Sequence, residues 1–202
     1  MTTKVQGDMY DIDGATVATV AAGDKINFLD ITDSLVKEDT VQGVLDLVSA
    51  SFTLSSEQAS TSGTAITFGS IPAGTKMIII NFHGVSLSGT DQLLITLGDA
   101  GGLETSSYVS SSVRVDTSAN NNTSGFVIST NSASAVVNGH MMLTLEDAAN
   151  YSWTSSHSVS RDTAAAVVGG GTKSLSAELT QVSVSRTGSN TFDAGALSIL
   201  YL

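Results

Sequence analysis

The stretch Ile66-Thr67-Phe68-Gly69-Ser70-Ile71-Pro72-Ala73-Gly74-Thr75-Lys76-Met77-Ile78-Ile79-Ile80-Asn81-Phe82 decides the fold. Apolar residues stand at every second position, Ile66 and Phe68, then Ile78, Ile80 and Phe82. Period two sends alternate side chains into a core and into water, the mark of a half-buried β-strand. Between the runs, Pro72 presets a negative φ and Gly74 supplies a permissive one, so the chain turns. The alternation returns far downstream in Leu175, Ala177, Leu179, Val182 and Val184.

Outward from there, strands are expected near 64–69, 76–87, 92–98, 107–115, 124–130, 135–146, 151–159, 164–168, 174–186 and 191–201. Ser88-Gly89-Thr90, Asp99-Ala100-Gly101-Gly102, Asn120-Asn121-Asn122 and Gly169-Gly170-Gly171 read as the turns between them. Many short strands with almost no helix predict an all-β fold, an antiparallel, jelly-roll-like β-sandwich over residues 64–202. Residues 51–63 read as a polar connector or a first edge strand.

The first 50 residues differ. They hold nine acidic and three basic residues, −6 of the whole chain's −11. A turn at Gly23-Asp24 leads to a short strand with Ile26 and Phe28 on one face. Val41, Val44, Leu45 and Val48 then fall at i, i+3, i+4 and i+7, one face of a helix that Asp39 or Thr40 is placed to cap. Two turns of helix are marginal alone, since isolated helices below ~12–15 residues barely hold in water. The economical partner is the same stripe from other copies. Residues 1–50 are therefore read as an attachment and oligomerisation segment, with Ile26, Phe28, Val41, Val44, Leu45 and Val48 at the interface.

Composition narrows function by exclusion. Eight scattered Lys and Arg against 19 Asp and Glu argue against nucleic acid and anionic membranes as partners. No Cys is present, which excludes disulfides and thiolate chemistry. Neither a signal-peptide pattern nor a membrane-length apolar run is expected, which suggests assembly in a cytoplasm followed by release in a particle.

Reactive constellations are sparse. His83 reads as packed or hydrogen-bonded within a strand, His140 as a strand start and His157 as solvated; none shares metal-ligand spacing with another. Glu146-Asp147 opens a turn, and Asp99, Glu104 and Asp116 are loop acids with no evident catalytic pairing. No catalytic residue, cofactor site or metal site is assigned. Val167–Lys173 lacks the spacing of a phosphate loop and reads as a plain loop. Tyr151 and Trp153 alternate on one strand and could form a sugar-stacking platform, although the sole Trp is expected to fill the core.

The run Ile66–Ser86, then Leu94-Ile95-Thr96-Leu97-Gly98-Asp99-Ala100-Gly101-Gly102-Leu103-Glu104-Thr105 with Tyr108, and the closing Thr191–Tyr201 resemble a β-domain of tailed-phage virion proteins, often found at fibre tips. Gly23–Ile26, Asp30, Lys37 and Thr40–Leu47 resemble the strand–helix connector of trimeric phage fibres. The resemblance implies a homotrimeric virion appendage, a tail or head fibre, bound to other virion proteins through its N-terminal segment. Its head would present a β-sandwich to a host-surface glycan or protein. A capsid decoration protein without a receptor role and a tail-associated polysaccharide depolymerase are the alternatives.

Overall fold

The computed structural model describes residues 23, 25–30, 35–40, 52–115, 119–162 and 165–202, except for the side chains of 26–30 and 35–39. Contacts divide the chain into two units, residues 1–50 and 51–202. In the first, β1 (Lys25–Asp30) and β2 (Leu35–Thr40) form an antiparallel hairpin with Ile26 opposite Asp39 and Phe28 opposite Lys37. The expected helix face of Val41, Val44, Leu45 and Val48 lies outside the described residues.

The second unit is all-β, with no helix among its described residues. Its strands are β3 (Thr53–Leu54), β4 (Gln58–Ala59), β5 (Ile66–Phe68), β6 (Met77–Leu87), β7 (Leu93–Asp99), β8 (Gly102–Leu103), β9 (Val109–Arg114), β10 (Asn120–Asn122), β11 (Phe126–Ile128), β12 (Val137–Asp147), β13 (Ser152–Arg161), β14 (Ala165–Ser174), β15 (Gln181–Arg186) and β16 (Phe192–Tyr201). One sheet runs β10-β9-β14-β13-β12-β6-β16-β3, with β4 also on β16. The other runs β11-β7-β15-β5, with β8 on β7. All their pairings are antiparallel.

Alternation does the sorting. Ile78, Ile80 and Phe82 of β6, Met141 and Leu143 of β12 and Trp153 of β13 share one buried cluster with Ile95 and Leu97 of β7 and Val182 and Val184 of β15. Each such side chain contributes about 1.5–3 kcal/mol by leaving water. The intervening residues of the larger sheet carry Ser156, Ser158, His140 and Thr172 to the surface.

Three expectations need correction. Gly169, Gly170 and Gly171 are not a turn; they lie inside β14, paired on one side with β13 and on the other with β9. A Cβ at Gly171 would land on the Val109 carbonyl oxygen, and one at Gly169 would lie 2.5 Å from the His157 ring. The glycines mark close approach of neighbours, the second physical meaning of glycine in a strand. Residues 174–186 are likewise not one strand: β14 ends at Ser174 and β15 begins at Gln181. Leu175 and Leu179 are buried from the loop between them. Asn120–Asn122 is a strand, paired with Ser110–Ser112, and not a turn. The stretch 51–63 supplies edge strands β3 and β4 on β16.

The two sheets are also joined by side chains. Ser110 Oγ accepts the Val127 amide at 2.9 Å, and Ser112 Oγ accepts the Ser129 amide at 3.1 Å. Hydroxyls of β9 thus satisfy backbone donors along β11 that no strand pairs.

Candidate functional site

Strand register defines two ends. At the near end, Thr53 pairs with Tyr201 and Tyr201 with Ile78, while Lys76 and Met77 donate amides to the Leu202 carbonyl at 2.6 and 3.2 Å. The chain therefore comes into the unit and reaches Leu202 at one end. At the far end lie the connections after β6, β11, β13 and β15.

Three near-end connections surround a pocket of about 130 Å³, lined by Gly74, Thr75, Lys76, Leu145, Ala148, Tyr151, Trp153, Glu178 and Leu179. Each wall is fixed locally. Thr75 Oγ1 donates to the Pro72 carbonyl at 2.7 Å, and Gly74, at φ +83°, donates its amide to Glu178 Oε1 at 2.6 Å. Asp147 receives the Ala149 amide at 2.8 Å and the Asn150 side-chain amide at 2.6 Å. Asn150 first and Ala149 second hold the Asp147 carboxyl below its usual range. The next residue, Tyr151, sits at φ +49°. For a bulky side chain this is a sparsely populated, strained conformation that persists only where the surroundings impose it. The Leu175 amide, bound to the Tyr151 carbonyl at 3.1 Å, is one such constraint.

Of the two residues singled out in the sequence, Trp153 is 2% exposed and belongs to the core. Tyr151 precedes β13 instead of alternating with Trp153 along it, and packs half-buried against that core. They meet at this pocket. Trp153 Nε1 is buried without a hydrogen-bond partner.

A second near-end cluster is closed. Lys173, 4% exposed, pairs with Glu104 at 2.5 Å and lies 5.3 Å from the Tyr108 ring centre. Burial works to raise the Glu104 pKa, but hydrogen bonds from Lys173 and Ser176, with the Lys173 charge, outweigh it and lower it. Tyr108 accepts the Leu97 amide at 2.7 Å, and burial pushes its pKa upward. Ser176 also donates to Asp99 at 2.6 Å, which with the Gly101 amide lowers the Asp99 pKa.

His157 is not solvated as its serine neighbours suggested. It is 6% exposed, and its Nε2 shares a 3.0 Å hydrogen bond with Ser112 Oγ. Burial lowers its pKa to about 4, so the ring is neutral at pH 7. Ser112 is 1% exposed and His157 Nδ1 meets no partner, so this pair has neither substrate access nor an orienting acid. The signal missed in the sequence was the glycine opposite, Gly169, which makes room for the ring. His83 is exposed instead of packed, and His140 is exposed on β12.

Among the described residues, no group of three or more His, Asp or Glu side chains gathers where it could hold a metal ion. A broad open depression of about 300 Å³ lies over Val109, Ser111, Asn121 and Gly170. The far-end connections are tied together. The Asp91 amide donates to Asn190 Oδ1 at 3.1 Å, the Asn190 amide donates to Asp91 Oδ2 at 2.7 Å, and Thr130 Oγ1 donates to the Asp91 carbonyl at 2.5 Å.

No protein-family model matches the chain, and it has no match among curated proteins or solved structures.

Proposed function

We propose that this chain is a non-enzymatic virion structural protein, a homotrimeric fibre-like appendage of a tailed phage. In this reading residues 1–50 join the copies and attach them to other virion proteins. Residues 52–202 form a jelly-roll-like β-sandwich that presents its far-end loops to a host surface. The observation that carries the reading is the pairing of Thr53 with Tyr201, which puts the approach from residues 1–50 at the end opposite the connections after β6, β11, β13 and β15. The Asp91–Asn190 clasp favours presentation, because pre-ordered loops lose less entropy on binding. Three weak sites on one stalk raise avidity by about 10²–10⁴ when the geometry fits.

Deleting the protein from its particle tests this. Loss of host adsorption, with density missing from the tail or the head fibres by electron microscopy, is the expected outcome. Normal adsorption with a weakened shell makes it a decoration protein instead, and clearing of host capsule by the purified chain makes it a depolymerase.

A further inference from the structure

We propose that the near-end pocket is a socket for the Phe52 side chain of a second copy of this chain. The proposal rests on the oligomer reading above and adds the contact that locks neighbouring copies together.

Size and lining select the occupant. The pocket of about 130 Å³ takes its apolar lining from Leu145, Ala148, Leu179 and the two aromatic residues, with Thr75, Lys76 and Glu178 completing the walls. An apolar cavity of roughly 150 Å³ takes one benzene ring. Trp153, only 2% exposed, offers a sugar little stacking surface there. Among the described residues, the large hydrophobics at least half exposed are Phe52, Leu54, Val109 and Val115. Phe52 alone carries a ring, and it adjoins Thr53 at the same end as the socket.

Its own socket does not hold it, since Phe52 is 51% exposed. Strand β16 stands between β3, which Phe52 precedes, and β6, which Lys76 precedes, a lateral separation of about 10 Å at two strand spacings. A neighbour's socket is the partner proposed for it. Phe52 stands four residues after Val48, the last residue of the stripe read above as the oligomer interface. Four residues span at most about 14 Å, so copies joined at Val48 would have their Phe52 residues near one another. Giving one ring and receiving another is a heterologous contact, which closes into a ring of copies when the rotation allows. The strained Tyr151 then has a purpose: its conformation fixes one wall of the socket before the partner arrives.

The absence of native Cys makes the test clean. Full-length Phe52→Cys and Ala148→Cys chains carrying different tags are co-expressed and treated with a short bis-maleimide. The expected product joins the two tags, while Phe52→Cys with Ser88→Cys, at the far end, gives none. Phe52→Ala should weaken self-association by about 30-fold, the effect of losing an aromatic anchor. It should also shift Trp153 emission to the red as water reaches the socket, and Phe52→Leu should recover part of both. An oligomer of unchanged mass with no Phe52–Ala148 product overturns the socket and leaves the oligomer standing. A monomer at every concentration overturns both.

Discussion

Acidifying the protein should expose His157. Its ring is buried, its one partner is the Ser112 hydroxyl, and burial holds its pKa near 4 against 6.5 for the free group. A base whose pKa is lowered on folding binds more protons unfolded, so stability falls as pH drops from 6.5 towards 4 and is regained on raising it. At about 1.36 kcal/mol per pKa unit, the full gap is worth roughly 3 kcal/mol, of which about 2.5 is lost by pH 4.5. The comparison is His157→Gln, which keeps a hydrogen-bonding group and removes the titration. Urea unfolding of both proteins from pH 7.5 to 4.5 gives the difference curve. Contributions from Asp99, Glu104 and Asp147, whose folded pKa values are lowered, cancel between the two. Wild type should lose about 2.5 kcal/mol relative to the variant over this range. A flat difference curve, or a His157 proton titration centred near 6.5 by NMR, refutes the burial argument.

Gly171→Ala should cost about 1–3 kcal/mol in urea unfolding, because its Cβ meets the Val109 carbonyl, a backbone atom that cannot swing away. The same change at Gly63, where a Cβ meets nothing but φ is +82°, should cost only the backbone strain of about 1 kcal/mol. Glu104→Gln leaves the Lys173 ammonium buried beside Tyr108 without its carboxylate, and should lower the urea midpoint by an amount worth about 2–3 kcal/mol. Val44→Asp with Leu45→Asp should reduce the mass by light scattering to that of a single chain while near-ultraviolet circular dichroism stays unchanged; an unchanged mass removes the N-terminal stripe from the interface.

Strand positions were legible wherever one face is apolar and the other polar. Ile78, Ile80 and Phe82 gave β6 to within a residue, and Val182 with Val184 located β15. Legibility failed where a residue serves packing rather than local conformation. Three consecutive glycines look like a turn because they permit one, yet in β14 they admit the Ser111 and Val109 carbonyls and the His157 ring. Leu175 and Leu179 mimic strand alternation because both turn inward from a loop that crosses the near end. His157 looked solvated because Ser156 and Ser158 flank it, although alternation by itself sets it opposite to both. The pocket could not be read at all: Thr75, Leu145, Tyr151 and Leu179 come from segments that only the pairing of β6, β12, β13 and β14 brings together.

The hydroxyls of Ser110 and Ser112 carry a further consequence. A strand margin with open amides recruits other polypeptides, and the hazard grows with local crowding. Here the amides of Val127 and Ser129 are already occupied from within the same molecule. Many copies could stand side by side on a shared support without that margin seeding fibrils. Replacing the two serines by alanine would leave the buried amides of Val127 and Ser129 without their acceptors.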